Sequence, residues 1–148
     1  GLCLLQGSVQ GHRGAPEQAF AFYKDLFKGT VVHQSTFGEI PPDPQNPPIP
    51  PEAKDRLMHV HLQVGAQALM GSDTLPGASD VCAGGYAKPQ GLWVSIQADD
   101  VAEGRRVFDA LAQGGQVTMP FDKTFWSAGF GMVTDRFGTP WMINVNAG

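Results

Sequence analysis

Cysteine is scarce in this chain, with two residues, Cys3 and Cys82, among 148. Two cysteines cannot build the disulfide framework of a small secreted domain, and they are too few for a four-cysteine zinc site. Cys82 lies in a glycine-rich segment without a neighbouring histidine, so the pattern does not favour a cysteine nucleophile. A cytoplasmic location is therefore the default expectation.

Positive charge and long apolar runs are scarce as well. The formal net charge is −4 at pH 7, so the composition offers no basic surface for nucleic acid or an anionic membrane. No apolar run approaches the roughly 20 residues of a transmembrane helix. Residues 2–5 are also shorter than the apolar core of a signal peptide, which needs at least about 7 residues. We expect neither a nucleic-acid partner nor a membrane partner.

Apolar residues are present in ordinary proportion, at 42% of the sequence. A chain of this length and composition can bury a sizeable core. It fits one domain, or two small modules that share a core.

The first half of the chain predicts a helix followed by strands. From residue 16 onward, apolar side chains recur at the three- and four-residue spacing of a helix, and Gly29 is predicted to end that helix. Residues 30–37 and 57–64 then predict strands, with 67–73 as the hairpin partner of the second. A strand before the helix is expected either at 2–5 or at 8–12, and the sequence leaves both open.

A proline-rich segment interrupts the first half at residues 40–51, which contain seven prolines. Proline excludes helix and sheet interior, so an extended, stiff surface loop is predicted. A rigid connector is the favoured interpretation. The alternatives are a lid over a pocket and a polyproline ligand for a partner protein.

The second half repeats the order of the first. Residues 91–98 alternate as a strand does, and a helix begins at Asp100, with Glu103 at capping-box spacing. Gly114-Gly115 ends this helix, and strands are predicted at 116–119, 130–134 and 141–146. A shift of 86 positions superposes matching residues, namely Glu17 on Glu103, Phe22 on Phe108 and Gly29 on Gly115. The shared order of elements predicts two βαβββ modules.

Six stretches carry a resemblance to a known family: Ala19-Phe20-Ala21-Phe22-Tyr23, Met58-His59, Leu69-Met70-Gly71-Ser72-Asp73, Phe108-Asp109-Ala110-Leu111, Thr124-Phe125-Trp126 and Trp141-Met142-Ile143-Asn144. The chain resembles the PhnB-like branch of the vicinal-oxygen-chelate (glyoxalase/bleomycin-resistance/dioxygenase) superfamily, from about Gly14 onward. The resemblance implies an α+β fold in which paired βαβββ modules, at about 1–75 and 90–148, form one domain. It implies an incompletely closed mixed β-barrel with the helices outside, and a homodimer.

Strand alternation gathers polar and aromatic side chains on one face of successive strands. We expect them to line a cleft between the modules and to bind a small molecule there. The alternative is that they fill a closed barrel without a cavity. The predicted ligand-binding residues are His59, His61, Trp93, Ser95, Gln97, Phe125, Trp126, Met142 and Asn144, and Gln63 shares the face of the two histidines.

His59 and His61 are the only candidate metal pair, since an i, i+2 spacing on a strand points both imidazoles to one side. A catalytic divalent site needs about three protein ligands. Metal-using relatives supply a carboxylate from the last strand, where this chain has Met142 and Asn144. We therefore predict no metal and no cofactor. The alternative function is a metal-dependent lyase, isomerase or dioxygenase acting on a substrate with adjacent oxygens.

Other chemistry is not favoured. The carboxylates Asp73, Asp99 and Asp100 fall at turns and a helix start, where such groups commonly cap. Part of the family has carried a demethylubiquinone-methyltransferase label. No glycine-rich nucleotide-binding turn joins a strand to a helix here, so methyl transfer is not predicted.

Overall fold

The computed structural model describes residues 15–41, 44, 48–73, 91 and 93–146. The fold class is α+β, as predicted. The described residues form two α-helices, two short 3₁₀ helices (Phe37–Glu39 and Pro51–Ala53) and two sheets. The chain divides into two compact units, an N-terminal unit with the described residues up to 73 and a C-terminal unit with the described residues from 91 onward. In order, the elements are α1 (Ala15–Phe27), β1 (Thr30–Thr36), β2 (Leu57–Val64), β3 (Gln67–Gly71), β4 (Val94–Ala98), α2 (Val101–Ala112), β5 (Gln116–Asp122), β6 (Ser127–Thr134) and β7 (Pro140–Asn146).

The N-terminal unit is a three-stranded antiparallel sheet, β1–β2–β3, with α1 packed against β2. The apolar face of β2 contributes Val60 and Leu62, both fully buried. The predicted helical stripe is confirmed by the burial of Tyr23 and Leu26. The predicted first strand, at 2–5 or 8–12, lies outside the described residues, as does much of the proline-rich segment.

The end of α1 differs from the prediction that placed the stop at Gly29. Lys28 has a left-handed backbone, with φ of 53°, and the Gly29 N–H donates to the Lys24 carbonyl at 2.9 Å. This pattern is a Schellman motif, in which the left-handed residue is usually glycine. Gly29 has a different role, because a Cβ atom there would lie 2.7 Å from the Gln63 carbonyl oxygen. It allows β2 to pass close to the helix end.

Lys28→Gly is expected to stabilise the protein by about 0.5–1 kcal/mol, because glycine adopts a left-handed conformation without the steric cost that a Cβ atom brings. Urea unfolding followed by circular dichroism measures the change. Lys24→Gly is the matched control: Lys24 is exposed within α1, and there glycine should destabilise by about the same amount. A loss of stability in Lys28→Gly would contradict the assignment of Lys28 as the capping residue.

The C-terminal unit is a four-stranded sheet in the order β4–β7–β6–β5. β4 runs parallel to β7, and the remaining pairs are antiparallel. Asp100 caps α2 as predicted, since its carboxylate accepts a hydrogen bond from the Glu103 N–H at 2.8 Å. The Glu103 side chain forms an ion pair with Arg106. The helix buries Phe108 and Leu111 against the sheet.

The strand bounds of the C-terminal unit are wider than predicted in two places. β5 continues through Pro120 to Asp122, because an edge strand tolerates the missing N–H of proline. β6 begins at Ser127 rather than at residue 130. Glycine is needed in this strand because aromatic rings occupy the space where a side chain would lie. A Cβ at Gly129 would be 2.5 Å from the Phe121 ring. The predicted strand at 91–98 begins at Val94.

The two units repeat one local plan. β1 starts at residue 30 and β5 at residue 116, a shift of 116 − 30 = 86. The same shift relates the left-handed Lys28 to the left-handed Gly114, whose φ is 72°. It also relates Gly29 to Gly115, and both abut backbone carbonyl groups. The shift also relates Phe22 to Phe108, but these two side chains are not packed alike, since Phe108 is buried and Phe22 is only partly buried. That the two units form one domain remains a prediction.

Among the residues that the structure describes, no helix is long and apolar enough to cross a membrane.

Candidate functional site

The C-terminal sheet has one face on α2 and an opposite face that carries a single charged residue, Asp122 of the edge strand β5. Trp141, Ile143 and Val145 are buried on the helix side of β7. The alternate residues of the strands form what we call the uncharged face. Its members are Ser95 and Gln97 of β4, Phe130 and Met132 of β6, and Met142, Asn144 and Asn146 of β7.

Strand register arranges the uncharged face in two rows. Gln97 pairs with Asn144, which pairs with Phe130 across β6. In the neighbouring row, Ser95 pairs with Met142 and Met142 with Met132. The structure therefore brings together four of the predicted site residues, namely Ser95, Gln97, Met142 and Asn144.

Hydrogen bonds join the amides of Gln97 and Asn144 in the first row to that of Asn146, which lies two residues further along β7. Asn144 Nδ2 donates to Gln97 Oε1 at 2.8 Å and to Asn146 Oδ1 at 3.4 Å. Gln97 and Asn146 are exposed, and Asn144 is half-buried. These bonds fix the orientation of the Asn144 amide on the sheet.

An aromatic turn between β5 and β6 extends this row. Trp126 packs edge to face against Phe130, with ring centroids 5.9 Å apart, and against Phe125 at 4.5 Å. The Ser127 N–H donates to Thr124 Oγ1, and the Thr124 N–H donates to the Ser127 carbonyl, both at 3.1 Å. A braced turn thus presents Trp126, 51% exposed, and Phe125, 96% exposed.

Ser127 anchors the base of this turn. Its side chain is buried, and Oγ lies 2.6 Å from the Val145 carbonyl oxygen. Oγ also accepts from the Gly129 N–H at 3.2 Å, where the pairing of β6 with β7 shifts register. Trp93, which precedes β4 and is 39% exposed, is not part of the ring cluster in the described structure.

Charge is nearly absent from the C-terminal sheet. Of the residues in its four strands, Asp122 alone is charged, and it pairs with Phe130 from the edge strand β5. A surface of this composition contacts a ligand through hydrogen bonds, ring stacking and thioether contacts. A negatively charged ligand would meet only the repulsion of Asp122.

The N-terminal sheet carries a separate group of histidines. His59 and His61 of β2 share a face, as predicted, and His33 of β1 pairs with His61. The rings of His33 and His59 lie 5.8 Å apart. Within the described part of the chain, His61 Nε2 and Ser35 Oγ are buried atoms without a hydrogen-bond partner.

Sequence reasoning missed His33. It predicted the strand that contains His33 but not the register that sets His33 opposite His61. The pairing of two alternating strands would have been the signal.

The histidines do not assemble a complete metal site. Among the residues described, no group of three or more histidine, cysteine, aspartate or glutamate side chains could hold a metal ion. A catalytic divalent ion needs about three such ligands. The residues present therefore do not fit the metal that part of the superfamily uses, and no chemical step through a metal follows from them.

Asp73 has a structural role next to this sheet. Its carboxylate accepts a hydrogen bond from the Leu57 N–H at 2.9 Å, and its own N–H donates to the Leu57 carbonyl at 2.7 Å. Burial raises the pKa of Asp73 above its usual value, although the Leu57 hydrogen bond and the nearby Arg56 act in the opposite direction. This pair of bonds closes the end of the sheet, which is a structural role other than the turn or helix cap that the sequence predicted for Asp73.

Comparisons with known families, proteins and structures all point to one family. The model of the Glyoxalase/Bleomycin resistance protein/Dioxygenase superfamily matches residues 13–143. Protein YjdN of Escherichia coli (strain K12) is 34% identical over 137 residues, covering 89% of this chain and 88% of YjdN. The crystal structure of protein PA1353 from Pseudomonas aeruginosa is similar, with a TM-score of 0.75, 37% identity and coverage of 96% of this chain and 98% of PA1353.

A more distant structure shows the same fold. The PhnB protein from Bacillus cereus has a TM-score of 0.70 at 21% identity and covers 97% of both chains. At that identity the similarity supports the fold and no particular activity.

Proposed function

The chain belongs to the Glyoxalase/Bleomycin resistance protein/Dioxygenase superfamily, and we propose that it binds a small, uncharged molecule on the uncharged face of its C-terminal sheet. The observation that carries this proposal is the combination of hydrogen-bonded amides and a braced aromatic turn on a nearly charge-free sheet. Directional polar groups beside apolar and aromatic surface are the usual features of a small-molecule site.

The ligand-binding residues we propose here are Ser95, Gln97, Met142, Asn144 and Trp126, with Phe125 at the rim. Phe130, Met132 and Asn146 were not predicted from sequence. Phe130 and Met132 join the set because register places them in the two rows, and Asn146 joins it through its hydrogen bond to Asn144. Trp93, His59 and His61 remain predicted ligand-binding residues.

A thermal-shift screen of uncharged, ring-containing metabolites tests the proposal. We expect at least one compound to raise the melting temperature, because a ligand that binds only the folded state stabilises it by mass action. Trp126→Ala should lower the affinity for that compound by about tenfold, since stacking on an exposed ring contributes roughly 0.5–1.5 kcal/mol in addition to the burial of surface area.

Val101→Ala is the matched control. Val101 is exposed to a similar degree, at 45%, but lies at the start of α2 rather than on the uncharged face. Compound affinity should be unchanged in this variant. If no compound stabilises the wild type, or if Trp126→Ala and Val101→Ala bind alike, the proposal fails.

The histidine group supports a second candidate, an enzyme that acts on a substrate with adjacent oxygens. The observation in its favour is the buried His61 Nε2, which within the described residues has no partner. An unsatisfied buried polar atom costs roughly 1–3 kcal/mol, so a bound group that pairs with it would be stabilised. Elemental analysis after supplementation with divalent ions tests whether this candidate enzyme depends on a metal. The measurement is made on the purified wild type and on His59→Ala. Stoichiometric metal in the wild type alone would favour it.

A homodimer and a cytoplasmic location complete the proposal. The homodimer follows from what the family resemblance implies, and the location from the low cysteine content. Light scattering coupled to size-exclusion chromatography measures the assembly state.

A further inference from the structure

We propose that the N-terminal sheet binds an oxyanion, meaning a carboxylate or phosphate group, through a polar patch on the face that carries His59 and His61. This inference goes beyond the proposed function, because it concerns a different sheet and a different ligand chemistry. It arises from two buried polar atoms on this face that, within the described residues, have no hydrogen-bond partner.

Strand register places four hydrogen-bonding side chains together, and we call them the histidine patch. His33 of β1 pairs with His61 of β2, and Ser35 of β1 pairs with His59. The ring centroids of His33 and His59 lie 5.8 Å apart, so side chains of neighbouring pairs approach each other across the two strands. The alternate residues of β2 form its apolar face, and the patch therefore lies on the side of the sheet opposite α1.

Two atoms of the histidine patch have unused hydrogen-bonding capacity. Ser35 Oγ and His61 Nε2 are buried and unpaired in the part of the chain that the structure describes. Such atoms destabilise a folded protein, so native structures contain few of them. Gln63 shares this face, and its Nε2 donates to the Gly65 carbonyl at 2.9 Å. Two unpaired atoms on adjacent strands therefore indicate a place where a bound group supplies the missing partner.

The chemistry of the histidine patch favours an acceptor of several hydrogen bonds. A serine hydroxyl and an imidazole N–H can both donate, and His33 and His59 add further N–H groups beside Ser35 and His61. An oxyanion has enough lone pairs for all of these donors, and hydrogen bonds to an ionised acceptor are about twice as strong as neutral ones. A divalent metal fits less well, because the described residues do not assemble the three ligands that it needs.

The charges around the histidine patch are compatible with an anion. β1, β2 and β3 contain no Asp or Glu that would repel it. The Asp73 carboxylate, at the end of the sheet, accepts a hydrogen bond from the Leu57 N–H and has Arg56 nearby. The three strands also lack Lys and Arg, so affinity depends on the hydroxyl and imidazole donors and should fall when one is removed.

Benzoate and benzamide are matched probes, since they differ in whether the acceptor is a carboxylate or a neutral amide. Inorganic phosphate tests the other oxyanion. Each probe is titrated at neutral pH into protein treated with a chelator, and the imidazole signals are followed by ¹H–¹⁵N NMR. We expect the signals of His59 and His61 to move and saturate with benzoate, with phosphate or with both, and to stay in place with benzamide. The responding probe identifies the oxyanion.

Ser35→Ala removes the unpaired hydroxyl. It should lower the affinity for the responding oxyanion by roughly tenfold, since a hydrogen bond to a charged group contributes about that much. The urea midpoint without anion should stay the same or rise, because no hydrogen bond within the described residues is lost. Gln34→Ala is the matched control: Gln34 is exposed on the same strand, pairs with Val60 of the apolar face, and should not affect anion binding.

Three results would overturn the inference. The first is the absence of a saturable shift with both benzoate and phosphate, and the second is equal binding of benzamide and benzoate. The third is binding that appears only after a divalent ion is restored, which would assign the histidine patch to a metal. Full affinity in Ser35→Ala would contradict the patch as the binding site. The metabolite screen judges the proposed function separately, through Trp126 on the other sheet.

Discussion

Asp135→Ala is expected to lower the free energy of unfolding by about 3–5 kcal/mol, because it leaves several buried donors without an acceptor. Asp135 is 4% exposed, and Oδ2 accepts from Trp141 Nε1 at 2.8 Å. Oδ1 accepts from the N–H groups of Phe137 and Thr139, at 2.9 and 3.0 Å. One carboxylate thus holds both the turn between β6 and β7 and the indole of a fully buried tryptophan. Urea unfolding, with the slope compared between variants, measures the loss.

Two further variants assign this loss to particular bonds. Asp135→Asn keeps one oxygen for the turn but presents an NH2 group toward Trp141 Nε1, so about half of the full loss is expected. Trp141→Phe removes the indole donor, and the double variant with Asp135→Asn should then be less destabilised than the sum of the single changes. A loss below about 1 kcal/mol in Asp135→Ala would contradict the role of this carboxylate.

Gly115→Ala is expected to destabilise the protein by about 2–4 kcal/mol, because the added methyl group meets backbone rather than flexible side chains. A Cβ there would lie 2.9 Å from the Leu111 carbonyl oxygen and closer still to that of Thr134. Gly29→Ala should have a similar effect in the N-terminal unit, where the added Cβ would lie 2.7 Å from the Gln63 carbonyl oxygen. Both effects can be read from the midpoint of urea unfolding.

Gly65→Ala separates this steric effect from backbone conformation. Gly65 has a positive φ of 57°, but a Cβ there meets no atom within 4 Å. Its replacement should cost only about 1 kcal/mol, the ordinary penalty of a left-handed alanine. If Gly115→Ala costs no more than Gly65→Ala, close approach of the backbone is not what requires glycine at position 115.

The architecture follows from local patterns that the sequence displays directly. The helical stripe of α1, the Asp100 cap of α2 and the alternation in β2, β4 and β7 each depend on residues close together in the chain. Such patterns determine which side of a strand is buried, so the uncharged character of Gln97 and Asn144 on one face was predictable. The sequence repeat also located equivalent helix ends in the two halves.

What the sequence did not predict depends on pairing between distant residues. Register sets His33 opposite His61, and no local pattern specifies register between strands separated by a long loop. Phe130 lies opposite Asn144 across a short turn, where the register depends on the geometry of that turn. The buried position of Asp135 could not be predicted either. Turn chemistry explains a carboxylate at this position but not its hydrogen bond to the indole of Trp141. Lys28 was overlooked because a neighbouring glycine offered the more usual cap.

The most direct measurement of binding at the uncharged face follows the side-chain NH2 signals of Gln97 and Asn144 by ¹H–¹⁵N NMR during titration. The titrant is the compound that stabilises the protein most in the metabolite screen. We predict that both signals move and saturate, while the amide of Gln18, exposed on α1, stays in place. Signals of Gln97 and Asn144 that remain unchanged while a titrant binds elsewhere would contradict a ligand site on this sheet.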